Sequence, residues 1–155
     1  MNKKLIILFL LCGPLMLSQK KELKLAQKLF KQEKISESNE ILTANSDLII
    51  NSNDSKIITQ YYLLVGQIAK SQKKFSKAYE NFKLAEGNKA IKETLKSEIE
   101  FLLYEIQTYA NETYNSGNFK VAALNYNLAF KISPDKTDLL YYAAVSSING
   151  NDYKN

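Results

Sequence analysis

The stretch GNFKVAALNYNLAFKISPD, residues 117–135, predicts a helix that carries small and aromatic residues on one face. Its apolar residues recur at spacings of three and four, which is the period of an amphipathic helix. Proline cannot continue a helix, so this one is expected to end before Pro134. The residues of the patterned face are Phe119, Ala122, Ala123, Tyr126, Ala129 and Phe130.

The same pattern occurs elsewhere in the chain. In KKFSKAYENFKLAEG, residues 73–87, the matching positions are Phe75, Ala78, Phe82 and Ala85. A weaker copy has Ile35, Ser38, Leu42 and Asn45. Another helical stretch precedes each copy, and small residues stand in these stretches at Ala26, Gly66, Ala110 and Ala144. Small residues at the same place in successive stretches indicate pairs of helices that approach closely.

This arrangement resembles the tetratricopeptide repeat (TPR), a helix–turn–helix unit of about 34 residues. The resemblance implies an all-α solenoid of about three and a half antiparallel helix pairs. The repeats would lie at about 19–52, 59–92 and 103–136, with a partial repeat over 137–155. The positions that match the family pattern best are Gly66, Ala78, Phe82, Ala85, Ala110, Ala122, Tyr126, Ala129 and Pro134. A generic helical bundle is the alternative.

The units depart from the family pattern in places. Asn45 stands at an alanine position of the first repeat, and Ala90 stands where proline is usual in the second. Extra residues separate the repeats. Around NSNDSK we expect a loop with Asp54 or Ser55 as the N-cap of the next helix. After Gly87 the apolar residues continue at helical spacing, which predicts one long helix from about 90 to 115.

Residues 1–18, MNKKLIILFLLCGPLMLS, have the layout of a secretory signal peptide. Lys3 and Lys4 precede an apolar run, and Ser18 is a small residue at the expected cleavage point. A permanent anchor is one alternative, but the apolar run is shorter than the roughly 20 residues that span a bilayer. Lipidation at Cys12 is another, although Leu11 precedes it. The chain is therefore expected to be exported to the periplasm or cell envelope of a bacterium.

The composition argues against catalysis by these residues alone. The chain has no His, the side chain best suited to proton transfer near neutral pH, and Cys12 is its single cysteine. Glycine-rich phosphate loops are absent from the sequence. The carboxylate pairs Glu98 with Glu100 and Glu105 with Glu112 are expected on solvated helix faces. We expect no catalytic residue, no cofactor, no metal and no nucleic-acid partner. Contact with a membrane is expected only through the signal segment, residues 1–18, before its cleavage.

The TPR resemblance implies that the first helix of each repeat lines a groove for a protein or peptide. Residues at steps of three, four and three share one face of such a helix. The predicted groove residues are Gln60, Leu63, Gln67 and Lys70 in the second repeat and Tyr104, Gln107, Asn111 and Tyr114 in the third. The first repeat offers Leu23, Gln27 and Phe30. Aromatic residues at these positions could equally belong to the core between helices.

The first predicted helix also carries a stripe of lysines at Lys20, Lys24, Lys28 and Lys31. Such a stripe either meets an anionic surface or forms a solvated face. The net charge of +5 falls to +3 if Lys3 and Lys4 are removed with the signal segment, which is a weak bias.

These expectations favour a non-catalytic protein–protein interaction scaffold, similar to the exported TPR proteins of gram-negative bacteria. The alternative is an N-terminal accessory TPR region of a longer envelope protein with a separate catalytic or wall-anchoring domain. Tyr153 occupies the place of Phe119 and Phe75, so another helix is expected to start there and the chain to be a piece of a longer protein.

The export prediction is tested by N-terminal sequencing of the native protein. The first residue is expected to lie just after Ser18, because the charged stretch QKKELK begins there. A retained Met1, or a cytoplasmic location of the native protein, would contradict the prediction.

Overall fold

The computed structural model describes residues 19–151, and every regular element within them is helical, which confirms the all-α prediction. Residues 1–18 and Tyr153, on which the signal-peptide and further-helix predictions rest, lie outside the described residues. The helices are α1 (19–31), α2 (Ile35–Ala44), α3 (Ser46–Ile50), α4 (Ser55–Ser71), α5 (Phe75–Leu84), α6 (Lys92–Asn115), α7 (Phe119–Ile132) and α8 (Thr137–Asn149). Short 3₁₀ turns at Ala85–Gly87 and Lys89–Ile91 precede α6.

The chain divides into two compact units, Met1–Leu95 and Lys96–Asn155. In the first unit, α1 to α4 share one apolar core, and α5 packs against α4. That core contains Leu23, Ala26, Leu42, Ile49, Ile57, Tyr61, Leu64 and Ile68. In the second unit, α7 packs against α8. Its buried apolar side chains are Leu102, Ile106, Ala110, Ala122, Ala123, Tyr126, Ala129, Leu139 and Ala143.

Three connections between helices have the same backbone geometry. The turns after α1, α4 and α6 contain Glu33, Lys73 and Gly117, whose φ angles are 61°, 56° and 79°. In each turn this residue donates its amide to the carbonyl three residues back, and the next residue donates to the carbonyl five back. This is the Schellman motif, which ends a helix with a left-handed residue. The next helix begins two residues later each time, so the three helix–turn–helix units share one backbone design.

Small residues lie where the helices of a pair come closest. Between α1 and α2, the Ser38 hydroxyl donates to the Ala26 carbonyl at 2.8 Å, and both residues are fully buried. Between α4 and α5, a Cβ added to Gly66 would lie 2.5 Å from ring carbons of Phe82. The backbone of α4 therefore rests directly on the Phe82 ring. In the second unit, the small residues at the matching positions are Ala110 of α6 and Ala122 of α7, and both are fully buried.

The segments between the pairs follow the sequence prediction in part. Asp54 is the N-cap of α4, because its carboxylate accepts from the amides of Lys56 and Ile57 at 3.0 and 3.4 Å. The bounds of α6 confirm the long helix predicted from about 90 to 115. A break between α2 and α3 at Asn45 was not predicted. The Asn45 amide donates to the Ile41 carbonyl at 2.8 Å, and such local bonds compete with a continuing helix.

Exchanging the turn residues tests the shared backbone design. The left-handed conformation costs a non-glycine residue roughly 1–2 kcal/mol. Glu33→Gly should therefore raise the free energy of unfolding by up to about 1 kcal/mol, after the added chain entropy of glycine is subtracted. Gly117→Ala should lower it by about 1 kcal/mol. The added Cβ at position 117 meets no atom within 4 Å, so only the backbone is penalised. Urea denaturation measures both, and effects of the same sign would contradict the expectation.

Gly66 gives a second test with a matched control. Gly66→Ala should lower the free energy of unfolding by roughly 1–3 kcal/mol, because the new methyl group meets the fully buried ring of Phe82. Gly87→Ala adds the same methyl group where no atom lies within 4 Å, and Gly87 has no left-handed φ. That change should stay within about 0.5 kcal/mol of the wild type. Thermal melts in which both variants match the wild type would show that α4 and α5 are not held this closely.

Candidate functional site

One face of α6 carries the predicted groove residues of the second unit. Tyr104 is 65% exposed and Asn111 is also exposed, whereas Gln107 and Tyr114 are half-buried. Their steps of three, four and three place them on one side of the helix. The face thus combines hydroxyl and carboxamide groups, and none of these four side chains is charged.

An aromatic pair lies at the exposed end of this face. Phe101 and Tyr104 stack with their ring centroids 6.3 Å apart and an angle of 29° between the ring planes. Phe101 is 52% exposed, so both rings are largely in contact with water. A stacked, exposed pair offers a contact surface whose shape is already set before a partner arrives.

Asn111 joins this face to the core of the second unit. The Tyr126 hydroxyl of α7 donates a short hydrogen bond to the Asn111 side-chain oxygen. The Tyr126 ring lies 5.5 Å from that of Tyr142 on α8, centroid to centroid. Burial raises the pKa of Tyr126, and the neighbouring hydroxyls of Tyr142 and Tyr114 raise it further. The carboxamide of Asn111 therefore has a structural role, since it satisfies a nearly buried hydroxyl.

Tyr114 makes a second connection between helices. Its hydroxyl accepts a hydrogen bond from the Asn149 amide of α8 at 2.8 Å. Its ring meets Phe119, the first residue of α7, edge to face at a centroid distance of 5.2 Å. These bonds fix the orientation of Tyr114, so Tyr104 is the tyrosine of this face that is most open to a partner.

The predicted groove residues of the first unit lie on α4. Gln60 is exposed, and Leu63, Gln67 and Lys70 are half-buried. Gln67 and Lys70 already have interactions within the chain. On α1, Gln27 is half-buried and lines an open surface depression. The inclusion of Leu23 in the groove was wrong, because it is 2% exposed and belongs to the core of the first unit.

Both carboxylate pairs considered from the sequence lie on α6. Glu98 and Glu100 are two residues apart, so they point to different sides of α6. Glu100 lies 3.9 Å from Lys96 in an exposed ion pair. Glu105 and Glu112 are separated by seven residues, roughly 10 Å along the axis. One oxygen of Glu105 is buried without a hydrogen-bond partner in the described chain.

Two other kinds of feature are absent from residues 19–151. They contain no group of three or more His, Cys, Asp or Glu side chains that could hold a metal ion. None of their helices combines the length and the apolar character that crossing a bilayer requires.

Sequence reasoning missed part of the exposed aromatic surface. Phe101 was not among the predicted groove residues, yet it stacks on Tyr104. Tyr141 and Tyr142 at the start of α8 are 66% and 46% exposed and meet edge to face at 5.7 Å. The signal was present as adjacent aromatics in LLYY, but helical periodicity does not say which of two neighbours faces water.

Comparisons with protein-family models, curated proteins and solved structures gave no match to this chain.

The Tyr126 hydrogen bond can be tested by removing one oxygen atom. Tyr126→Phe should lower the free energy of unfolding by about 1 kcal/mol at neutral pH, because it deletes the bond to Asn111. The raised pKa of Tyr126 also predicts how the stability changes with pH. The unfolded tyrosine ionises first, near pH 10, so stability present below that pH is lost as pH rises further. The variant should lose less stability above about pH 10.

Tyr141→Phe is the matched control, because Tyr141 is 66% exposed. Its stability at neutral pH should equal that of the wild type. Denaturation curves at neutral and alkaline pH decide the question. Identical curves for the two variants would contradict a structural role of the Tyr126 hydroxyl.

Proposed function

We propose that this chain is a non-catalytic scaffold that binds another protein, or a peptide, on the first helices of its helix pairs. The observation that carries the proposal is the stacked, exposed pair of Phe101 and Tyr104 on α6. Exposed aromatic rings contribute nothing to the core of the unit, whereas such rings are enriched at protein interfaces. Gln107 and Asn111 extend the same face and supply hydrogen-bonding groups beside the rings.

The proposed architecture is a TPR-type series of helix pairs. It is supported by the three Schellman turns, each followed by a helix two residues later. It is supported further by the small residues at the crossings, among them Gly66 and Ser38. The intervals between the turns are longer than the family unit of about 34 residues. The segments that the sequence assigns as insertions, before α4 and at the start of α6, account for the difference.

The chemistry of the α6 face suits an extended segment of a partner. Carboxamides such as Gln107 can both donate to and accept from a peptide backbone. A tyrosine such as Tyr104 adds a large apolar ring and a hydroxyl with little conformational freedom to lose. None of the four predicted groove residues on α6 is positively charged, so we do not expect this face to bind a terminal carboxylate. The α4 face, with Gln60 exposed and Lys70 half-buried, is proposed as a second contact.

The proposed setting is the bacterial cell envelope. Its support is the sequence of residues 1–18, with Lys3 and Lys4 before an apolar run and Ser18 at the end. The proposal requires no cofactor, and its binding partner is a protein or peptide of the same compartment.

The proposal is tested by comparing two exposed residues of the second unit. Affinity capture from an envelope extract identifies a partner, and the dissociation constant is then measured with purified components. Tyr104→Ala should weaken binding at least about tenfold, as expected for an aromatic residue at the centre of an interface. Leu124→Ala, on α7 and 52% exposed, should leave the dissociation constant unchanged.

Circular dichroism should show the same helicity for both variants, because both side chains are exposed. Asn111→Ala is unsuitable as a binding probe, since it also removes the hydrogen-bond acceptor of Tyr126. Equal dissociation constants for the Tyr104 and Leu124 variants would exclude the α6 face as the binding surface.

A further inference from the structure

All five lysines of α1 lie on one exposed face of that helix. Lys20, Lys24, Lys28 and Lys31 follow one another at steps of three and four, and Lys21 lies beside them. All five are exposed, whereas Leu23 and Ala26 on the other side of the helix are buried in the core of the first unit. We refer to these five lysines as the lysine face. Its position is fixed because the opposite side of α1 cannot leave the core.

The charge of the lysine face is largely uncompensated. Lys20 pairs with Asp54 at 3.3 Å, but the side chains of the other four lysines make no ion pair or hydrogen bond within residues 19–151. Like charges three or four residues apart destabilise a helix. Elsewhere the chain places opposite charges at this spacing, as in Lys83 with Glu86. An external anion bound to the lysine face would reduce the repulsion among these lysine side chains.

The shape of the face favours a flat partner over an enclosed one. An open depression on α1 is lined by Lys24, Gln27, Lys28, Lys31 and Gln32. Four of these residues lie on successive turns of α1, and Gln32 follows directly after the helix. No second helix therefore forms an opposing wall. A peptide or small anion would be contacted from one side only. An extended anionic surface can meet every lysine at once.

An exposed leucine lies at the edge of the lysine face. Leu25 is 41% exposed and stands one helical turn from both Lys21 and Lys28. A soluble polyanion gives such a side chain nothing to contact. A lipid bilayer offers anionic headgroups to lysines and an apolar layer just beneath them.

We propose that the lysine face of α1 docks the protein on a membrane surface that contains anionic phospholipids. The attraction comes from the four uncompensated lysines, and Leu25 adds a shallow apolar contact. The helix lies along the surface, because its buried side stays attached to α2 and α4. The docking is peripheral, reversible and weakened by salt. It does not depend on the protein partner proposed for α6.

The test is sedimentation of the purified protein with vesicles. Vesicles of phosphatidylcholine alone measure any binding through apolar residues, and vesicles that also contain phosphatidylglycerol measure the anionic contribution. Binding should require phosphatidylglycerol and decrease as salt is added. The triple variant Lys24→Gln, Lys28→Gln and Lys31→Gln should bind the mixed vesicles on the order of a hundredfold more weakly, which corresponds to about 1 kcal/mol for each lysine.

The control variant removes the same charge from the first unit at three other exposed lysines, Lys56→Gln, Lys77→Gln and Lys92→Gln. It should bind the mixed vesicles within about threefold of the wild type, since these residues lie outside the lysine face. If both triple variants lost the same vesicle affinity, net charge alone would explain the binding, and the proposal would be overturned. Binding to a glutamate-rich peptide without binding to the mixed vesicles would overturn it as well, and would assign the face to an acidic protein.

Discussion

The fold depends on how closely two helices of a pair can approach. Where the backbone of α4 rests on the Phe82 ring, no side chain stands between them. Where α1 meets α2, a serine hydroxyl fills the gap and satisfies a buried carbonyl at 2.8 Å. Both solutions allow tight packing, which maximises dispersion contacts along the crossing. A methyl group added at Gly66 would clash with the Phe82 ring. Loss of the Ser38 hydroxyl would remove the hydrogen bond to the Ala26 carbonyl.

Periodicity in the sequence was enough to predict the helices and the small residues at their crossings. The spacing of three and four that begins with Phe119 located α7, and its copy located α5. Proline chemistry predicted the end of α7, which is Ile132. The long helix α6 followed from apolar residues that continue without a turn signal, and its start was correct to within two residues. These features are local, so a single sequence contains them.

The candidate site was harder to predict, because a helical face says which residues lie together but not what each one touches. Asn111 was assigned to a binding face and is exposed on α6, but its side-chain oxygen accepts a hydrogen bond from Tyr126, fifteen residues away. Leu23 was placed in the groove from the TPR resemblance and the helical spacing, but it lies in the core. Each of these outcomes was decided by tertiary contacts, which periodicity does not contain.

Among the described residues of the second unit, Tyr126, Tyr141 and Tyr142 form a chain of ring contacts. Tyr126 meets Tyr142, Tyr142 meets Tyr141, and Tyr114 meets Phe119, all at centroid distances below 6 Å. The chain contains no tryptophan. Its ultraviolet emission therefore comes from tyrosine alone, without the brighter fluorophore that masks tyrosine in most proteins. A tryptophan in a molecule that lies close to Tyr104 would accept energy from that tyrosine, so tyrosine emission could report binding at the α6 face proposed above.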